Sequence, residues 1–459
     1  MGCEIVVFAG KRVLVVGGGV TGSAVRRGLE SLGAICTTVD ERKIDGKDFI
    51  SLDVAREKSW DFAVVSPGWR QNHPFIEDLR VAGVALVSEI DLAWTIKLKL
   101  NPQQKWIAVT GTNGKTTTVE MVTAMLKRAG KSVTACGNLG DAVIDAVLDK
   151  NNFEVLVVEL SSFQLQWSDL PQFSASAILN IADDHSDWHG SFENYVKAKL
   201  RILDRTEMAV LSADDAVVVE STQVWQGRKI FFTLGSPRGG EIGVVEDLLV
   251  DRAFVSDPNE AEVLAELSEI VPFAPHSVLN SLAAAALALS AGADHASIRA
   301  AIRDFRPGRH RIETVLDSGD VKWINDSKAT NPHAALASVS AFHSIIWIAG
   351  GLAKGAKMDD LIIRGGNRIR TAILIGHDRD IIAQALSKFA PEVPVMLVDS
   401  PTDESSSLME RVVTKANQIS RKGDTILLAP ACASMDQFVS YADRGDQFRD
   451  AVLKIAGAR

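Results

Sequence analysis

The 459-residue sequence has few cysteines and no excess of positive charge. Its four cysteines, Cys3, Cys36, Cys136 and Cys432, form no Cys-x-x-Cys pair, which excludes a zinc ribbon and a disulfide scaffold. Their low number favours a reducing, cytoplasmic location. The formal net charge of −9 argues against a nucleic-acid partner, so anionic ligands would need local positive pockets.

Long apolar runs are also missing. No uncharged apolar stretch approaches the ~18 residues that a membrane-spanning helix needs, so we expect no membrane partner. Lys11 and Arg12 follow the first apolar stretch, whereas a signal peptide carries its positive charges before that stretch. We therefore expect no secretion signal.

The length and the alternation of strand and helix patterns predict an α/β protein of about three domains. Short apolar runs such as "RVLVV", "EVLVVE" and "SIIWIAGG" alternate with amphipathic segments. Polar stretches around Pro102 ("KLKLNPQQK") and around Pro307 and Gly308 ("FRPGRHR") are interpreted as linkers. The predicted domains are 1–103, 104–306 and 307–459, with a weaker pattern of short strands at about 205–275.

One motif predicts a phosphate loop. "VTGTNGKTTT", Val109 to Thr118, follows an apolar strand and opens a helix, so backbone N–H groups and the helix dipole would face an anion. Lys115 would reach the terminal phosphates and the Thr116 hydroxyl would hold Mg²⁺. The loop is short, because Val109 stands where the usual pattern has a glycine. The alternative is a glycine-rich turn with a surface lysine.

A second glycine motif lies near the N-terminus. Gly17, Gly19 and Gly22 follow a strand and open a helix, and Asp40 ends the next strand. This spacing is typical of a dinucleotide site, which makes an NAD-dependent dehydrogenase one interpretation. The diphosphate of a UDP-sugar would suit the same helix N-terminus, and purely structural packing of the glycines is a third interpretation.

Several segments together resemble the Mur ligase superfamily of ATP-dependent amide-bond ligases. They are "GTNGKTT", "ELSSFQL", "DDH" with "KAKLR", "WINDSKATN" and "PACASMDQF". The resemblance covers nearly the whole chain and implies a Rossmann-like first domain, a P-loop ATPase-like central domain and a Rossmann-like third domain. The "NDSKATN" segment is the most specific to the branch that adds D-glutamate.

The implied activity is addition of D-glutamate to UDP-N-acetylmuramoyl-L-alanine through an acyl phosphate, in cytoplasmic peptidoglycan precursor synthesis. The implied partners are these two small molecules, and the expected state is a monomer. The alternatives are a sister Mur ligase, a folylpolyglutamate-synthase-like ligase with another amino acid, and a non-catalytic nucleotide-binding switch.

The resemblance also implies the nucleotide and metal ligands. The expected ATP contacts are Gly111, Thr112, Asn113, Gly114, Lys115, Thr116, Thr117, Asn280, Arg311 and Asp326. The expected ligands of two Mg²⁺ ions are Thr116, Glu159, His185 and Lys199, the last as an N-carbamylated lysine. Taken alone, Glu159 is equally a helix N-cap partner, His185 a surface histidine and Lys199 a solvated charge. The sequence departs from the family pattern at Ser277, where an asparagine is usual.

Substrate contacts follow from the same resemblance. Those expected for the UDP-substrate are Val20, Thr21, Asp40, Arg42, Ser66, Gly68, Asn138, Ser161 and Gln164. Those expected for D-glutamate are Lys328, Thr330, Lys354, Ser434 and Tyr441, with Lys357 as an alternative to Lys354 and a helix cap as the alternative role of Ser434. The expected catalytic residues are Lys115, His185, Lys199 and Lys328.

Overall fold

A computed structural model describes residues 8–41, 49–138, 140–257, 259–400 and 407–457. Cys3 and Arg42, the latter an expected UDP-substrate contact, lie outside these residues. Three β-sheets follow one another along the chain, each flanked by helices, so the predicted α/β fold class is confirmed.

The first sheet contains five strands, all parallel. They are β1 (Arg12–Val16), β2 (Ile35–Val39), β3 (Phe49–Ile50), β4 (Phe62–Val65) and β5 (Leu86–Ser88), in the order β3-β2-β1-β4-β5. The accompanying helices are α1 (Val20–Ser31), α2 (Leu52–Arg56), α3 (Pro74–Val81) and α4 (Glu89–Leu100). The central strand β1 is apolar from Val13 to Val16 and fully buried, as expected for a parallel sheet covered on both faces.

The second sheet has nine strands. They are β6 (Lys105–Thr110), β7 (Val133–Gly137), β8 (Val155–Glu159), β9 (Ala175–Ile178), β10 (Met208–Ser212), β11 (Arg228–Phe232), β12 (Glu241–Val245), β13 (Leu248–Asp251) and β14 (Glu262–Glu266). Their order is β14-β13-β12-β11-β10-β9-β6-β8-β7. Only the β12–β13 and β13–β14 pairs are antiparallel, so the region of weak sequence pattern forms the antiparallel edge of this sheet.

Eight helices belong to the segment around the second sheet. They are α5 (Lys115–Arg128), α6 (Val143–Leu148), α7 (Ser162–Trp167), α8 (Ser186–His189), α9 (Phe192–Leu200), α10 (Ala216–Ser221), α11 (Pro275–Ser290) and α12 (His295–Asp304). The alanine-rich α11 is the helix that the sequence predicts, and its residues from Leu282 to Ala288 are buried.

The third sheet has six strands in the order β15-β16-β20-β17-β18-β19. They are β15 (Glu313–Asp317), β16 (Lys322–Asn325), β17 (Ile345–Gly350), β18 (Ile369–Ile375), β19 (Val395–Leu397) and β20 (Thr425–Leu428). The helices are α13 (Pro332–Val339), α14 (Asp359–Gly365), α15 (Arg379–Phe389), α16 (Leu408–Ile419) and α17 (Tyr441–Gly457). Strand β17 coincides with the apolar run "SIIWIAGG" of the sequence, whereas the half-buried edge strand β15, antiparallel to β16, was not predicted.

The first predicted linker is wrong in its extent, because α4 continues through "KLKL" as far as Leu100. The side chain of Lys97 is buried there, its Nζ donates to the Pro102 carbonyl at 2.7 Å and lies 4.6 Å from the Trp94 ring centroid. Lysines in the last turn also suit the negative end of the helix dipole. The irregular connection is therefore only the short turn before β6.

The chain forms two compact units. One takes in the described chain up to Ile181 together with Trp188–Glu266 and Leu279–Arg303, and it contains the first two sheets. The other takes in Ala182–Asp187, Leu267–Val278 and the described chain from Asp304 onward, and it contains the third sheet. Within the described ranges, no helix is both long enough and apolar enough to cross a bilayer.

Candidate active site

The predicted phosphate loop lies between β6 and α5. Gly114 is at the N-cap of α5 with a φ of +84°, a left-handed conformation that glycine adopts without strain. A Cβ at Gly114 would also come within 2.4 Å of Asn280 Oδ1, so the close approach of this asparagine requires glycine. Val109 is a fully buried strand residue in register with Glu159, which explains why the loop is short. The uncapped amides at this helix N-terminus form a site suited to phosphate.

Two lysines donate to the same loop carbonyl. Lys115 Nζ lies 2.9 Å from both Gly111 O and Thr112 O. Lys199 Nζ lies 2.8 Å from Gly111 O, and its side chain is buried, 4.6 Å from the Tyr195 ring centroid. Lys197, two residues earlier on α9, is exposed, so the two lysines lie on different faces of the helix. Two ammonium groups on one carbonyl concentrate positive charge at the loop.

Asn180, which the sequence analysis missed, fixes the loop from the segment after β9. Its Oδ1 accepts from Asn113 N at 2.8 Å, its Nδ2 donates to Asn113 O at 3.1 Å, and its carbonyl accepts from Thr112 N at 2.9 Å. The Tyr195 hydroxyl lies 3.0 Å from Thr112 Oγ1. A strand-end asparagine next to the phosphate-loop strand is a weak signal by itself, because only the sheet order β9-β6 makes the two segments neighbours.

Glu159 ends β8, the neighbour of β6 on its other side. Its carboxylate is buried and accepts from Asn138 Nδ2 through Oε1 at 2.9 Å. Among the residues that the structure describes, Oε2 of this buried carboxylate has no hydrogen-bond partner. A buried acceptor without a donor is costly unless a ligand satisfies it, and a carboxylate oxygen is the donor atom that Mg²⁺ prefers. Glu159 therefore fits the expected magnesium site.

The segment after β8 gives Ser161 and Gln164 a local structural role. Ser161 Oγ accepts from Gln164 N at 3.2 Å, and Gln164 Oε1 accepts from Ser161 N at 2.9 Å, which forms a capping box at the start of α7. The helix cap is thus made by Ser161, and the alternative role of Glu159 as an N-cap partner does not apply.

The N-terminal glycines have three different environments. A Cβ at Gly22 would lie 1.8 Å from Gly17 O, and one at Gly17 would lie 2.5 Å from Ser66 Oγ, so both positions require close packing. A Cβ at Gly19 would meet no atom within 4 Å among the described residues. Asp40 Oδ2 accepts from Gly18 N at 2.6 Å. The motif thus combines tight strand–helix packing with an open backbone at Gly19.

The other expected UDP-substrate contacts lie around these glycines. Val20 begins α1 and is 81% exposed, Thr21 is half-buried, and Gly68 O accepts from Trp188 Nε1 at 3.3 Å. Because the preceding N-cap residue is Gly19, no side chain caps α1, and its first amides suit a diphosphate.

In the second unit, the expected D-glutamate residues follow the strands of the third sheet. Lys328 and Thr330 come after β16, Lys354 after β17 and Ser434 after β20, while Tyr441 begins α17. Lys328 Nζ lies 4.1 Å from the Tyr441 ring centroid. Ser434 is buried, and its carbonyl accepts from Phe438 N at 2.9 Å. The strand order β16-β20-β17 brings these segments to one edge of the sheet, where open α/β sheets bind ligands.

Arg444, also missed by sequence reasoning, connects these strand ends. Its fully buried guanidinium donates to Ser327 Oγ at 2.9 Å, Ser327 O at 3.0 Å, Cys432 O at 3.2 Å and Gly350 O at 3.4 Å. Burial lowers the pKa of Arg444 to about 10, so it remains charged at neutral pH. The sequence signal that could have indicated the burial of Arg444 is its position on α17, four residues before the buried Phe448.

Asp326 and His310 lie at the start of the second unit's sheet. Asp326 accepts from Ile312 N at 3.2 Å and from the Ser338 hydroxyl, and burial raises its pKa to about 6. Arg311, the expected ATP-phosphate contact, is half-buried and acts on Asp326 electrostatically. His310 is buried beside Gly445, where a Cβ would lie 2.3 Å from its Nδ1, so this contact requires glycine.

His185 lies in the short segment 182–187, which belongs to the second unit. Its φ of +56° is unusual for a residue with a side chain, and its amide donates to Asp184 Oδ1 at 2.9 Å. Asp184 Oδ2 in turn accepts from Asn331 Nδ2 at 3.3 Å. The turn leaves the His185 imidazole half-exposed, with its Nε2 3.7 Å from Asp184 Oδ2.

The helix N-terminus at Gly114 and the buried carboxylate of Glu159 on the neighbouring strand are suited to binding a nucleotide phosphate and a cation. The chain matches the Mur ligase middle domain over residues 109–288 and the Mur ligase glutamate ligase domain over residues 310–432. It therefore belongs to the Mur ligase family.

Relatives along nearly the whole chain narrow the similarity further. The UDP-N-acetylmuramoylalanine--D-glutamate ligase of Streptomyces coelicolor is 44% identical over 98% of this chain and 99% of its own length. The enzyme of the same name from Streptomyces avermitilis is 45% identical over 97% of this chain and 98% of its own. The solved structure of MurF from Acinetobacter baumannii has a TM-score of 0.62 at 16% identity, covering 97% of this chain and 91% of that one, and supports the fold alone.

Proposed function

We propose that this protein uses ATP to join D-glutamate to UDP-N-acetylmuramoyl-L-alanine, in the cytoplasm and as a monomer, as a step of peptidoglycan precursor synthesis. The observation that carries the chemistry is the loop at Gly111, where two lysine ammoniums meet one carbonyl beside the strand that ends in Glu159. The choice of substrates is supported by the 44% identity to a ligase named for them.

The reaction has two steps. The L-alanine carboxylate attacks the γ-phosphorus of ATP, the bond to the β-phosphate oxygen breaks, and acyl phosphate and ADP result. The D-glutamate amine then attacks the acyl carbon, loses a proton, and inorganic phosphate leaves. Lys115 would stabilise the charge on the transferring phosphoryl group, which is the main task of proteins that catalyse such transfers.

Glu159, His185, Thr116 and Lys199 are the residues that would hold two Mg²⁺ ions. The unpartnered Oε2 of Glu159 fits a cation, and Mg²⁺ is usually held by few protein ligands plus phosphate oxygens. Bound magnesium would neutralise the phosphate charges that otherwise repel the substrate carboxylate. Asn180 orients the phosphate loop, and Asn138 orients the Glu159 carboxylate, for binding of the magnesium ions.

Lys199 is proposed to act as a carbamate. Its side chain is buried against Gly111 O, an unusual place for a lysine. Loss of one proton would give the neutral amine, and addition of CO₂ with release of a second proton would give an anionic carbamate that would ligate the second ion. We expect Lys199→Ala to be nearly inactive and partly rescued by short carboxylic acids, with Lys197→Ala as the exposed control. Full activity of Lys199→Ala without an additive would contradict the carbamate.

The substrate subsites follow the sheets. We infer that residues 1–103 with Asn138, Ser161 and Gln164 bind the UDP-substrate, that 104–306 with Arg311 and Asp326 bind ATP, and that 307–459 bind D-glutamate. Lys328, Thr330, Lys354, Ser434 and Tyr441 would contact D-glutamate. Its two carboxylates suit the cationic and hydroxyl groups at the strand ends of the third sheet, where Lys328 packs on Tyr441.

The test is an assay of phosphate release and amide product in which each amino acid is offered with its own UDP-muramoyl precursor. We expect turnover with D-glutamate and UDP-N-acetylmuramoyl-L-alanine and at least a hundredfold less with other pairs. Turnover with a different pair would assign the chain to another branch of the family. ATP binding without any amide product would point to a nucleotide-binding switch.

A further inference from the structure

The first turn of α4 carries two acidic residues that do not serve their own helix. Ser88 is the N-cap, and its Oγ accepts from Asp91 N at 3.0 Å. Acids in a first turn usually sit in solvent and interact with the helix dipole. Glu89 and Asp91 are instead 3% and 6% exposed, and both reach elements that follow strands of the second sheet.

Glu89, which lies on α4, caps the N-terminus of α6. Its Oε1 accepts from Ile144 N at 2.7 Å, in the first turn of that helix. The N-cap residue of α6 is Ala142, which has no side-chain oxygen for this purpose. A carboxylate at a helix N-terminus satisfies amides that are otherwise unpaired and is favoured by the dipole. Glu89 thus supplies a cap that the local sequence lacks.

The loop before this helix carries Asn138, one of the proposed UDP-substrate contacts. Gly137 N donates to Asp141 O at 2.8 Å, just before α6, and Asn138 N donates to Glu159 O at 2.9 Å, at the end of β8. Gly137 has a φ of +111°, and a Cβ there would lie 2.3 Å from Glu159 O. The Asn138 loop is therefore held on one side by β8 and on the other by the segment that leads into the capped start of α6.

Asp91 holds the C-terminal end of α7, the helix whose start carries the proposed UDP-substrate contacts Ser161 and Gln164. Its Oδ1 accepts from Asp169 N at 2.9 Å and from Leu170 N at 2.8 Å, directly after α7. Helix α7 has only six residues, about 9 Å of length, so fixing its C-terminal end orients its start at Ser161 and Gln164. The same helix meets the loop after β4, where Trp167 Nε1 donates to Trp69 O at 2.8 Å.

We propose that Glu89 and Asp91 are positioning residues for the UDP-substrate: together they hold the Asn138 loop and the Ser161–Gln164 turn in register with the glycine loops of the first sheet. The inference rests on the proposed function. It goes beyond it by assigning two residues that contact no reacting group. A merely stabilising role would weaken the binding of all ligands alike. A positioning role would act on the UDP-substrate, because the hydrogen bonds of the two carboxylates to the described residues go to Ile144, Asp169 and Leu170 and not to the phosphate loop.

The test measures binding by calorimetry and steady-state kinetics of the whole chain. Glu89→Ala and Asp91→Ala should each raise the Kd and KM of UDP-N-acetylmuramoyl-L-alanine about tenfold, the usual cost of a lost helix cap. ADP affinity should change less than about twofold, a shift too small to count as a lost contact. Glu89→Gln and Asp91→Asn keep the accepting oxygen and should stay near wild type.

Glu77→Ala is the matched control, because Glu77 is an exposed first-turn acid on α3 that pairs only with Arg80 among its described contacts. If an alanine variant does not fold, Glu89→Asp, which withdraws the carboxylate from Ile144 N, replaces it, with a raised Kd expected. Unchanged UDP-substrate affinity, or equal losses for UDP-substrate and ADP, would overturn the positioning role. If wild type itself makes no product with this substrate, the proposed function fails instead.

Discussion

The phosphate loop after β6 and the strand ends of the third sheet are built in different ways. The loop is one continuous stretch, and its proposed ligand groups are backbone amides and Lys115, with Asn180 fixing it from a neighbouring strand end. The strand ends of the third sheet come from segments far apart in sequence, and they are joined by the single buried side chain of Arg444.

The two regions therefore differ in whether a single residue is needed to hold the local fold. In the loop, Asn180 holds the backbone at Asn113 independently of Lys115, the proposed phosphate contact, so removing Lys115 leaves the Asn180 hydrogen bonds in place. In the third sheet, positioning depends on a charged group surrounded by carbonyls, so its removal leaves several buried acceptors without a donor. A large loss of stability on removal of Lys115, or unchanged stability on removal of Arg444, would contradict this difference between the two regions.

The largest expected effect is on turnover at the loop. Lys115→Ala should lower ADP release by about a thousandfold or more, because a cation on the transferring phosphoryl group is lost. Its unfolding midpoint should stay close to that of wild type. The measurement is coupled-enzyme detection of ADP, with the exposed Lys197→Ala as control. Near-normal turnover would refute the phosphate-loop assignment.

The next effect is on stability in the third sheet. Arg444→Met should reduce the free energy of unfolding by about 3 kcal/mol, since three main-chain carbonyls lose their donor. Arg449→Met, on the same helix but 41% exposed, should change it little. Urea unfolding followed by tryptophan fluorescence would measure both. Equal midpoints for the two variants would show that Arg444 does not hold the strand ends together.

A pH effect tests the buried carboxylate of α4. Burial raises the pKa of Glu89 from 4.5 to about 7, with Asp145 contributing in the same direction. The titratable groups that interact with Glu89 are Cys136 on β7 and Asp145 on α6, and Asp145 pairs with Arg27 of α1 at 3.0 Å.

Because the folded state favours protonated Glu89, its contribution to stability is complete below pH 4.5 and is lost as pH rises through about 7. Relative to Glu89→Gln, wild type should lose about 2–3 kcal/mol between those limits, measured by denaturant unfolding at several pH values. A difference between the two proteins that is independent of pH would contradict the raised pKa.

The smallest effect concerns the residue that fixes the loop. Asn180→Ala removes both hydrogen bonds to Asn113 and should raise the KM for ATP about tenfold. Asn101→Ala, which removes an exposed amide contact with Asn152, is the control. An unchanged KM for ATP would show that the loop holds its shape without Asn180.

The sequence was informative where function and structure are local. The phosphate loop could be predicted because its strand, glycines, lysine and helix are contiguous, and the same holds for the glycine motif after β1. Family resemblance extended this to Glu159 and Lys199, and the structure places both beside the loop strand or against the loop itself.

Residues whose role depends on strand order could not be found in the same way. Asn180 acts on Asn113, 67 positions earlier, only because β9 lies beside β6. Glu89 and Asp91 resemble ordinary first-turn acids, and Arg444 resembles a surface arginine until its burial is known. Strand β15 escaped prediction because an edge strand that is half exposed lacks a continuous apolar run.

The inward orientation of Lys115 has a consequence for nucleotide affinity. Its ammonium already makes two 2.9 Å hydrogen bonds to the carbonyls of Gly111 and Thr112, so these peptide oxygens compete with an arriving phosphate for its three N–H donors. The net strength of nucleotide binding would therefore depend on how much better a phosphate oxygen is than a peptide oxygen as an acceptor.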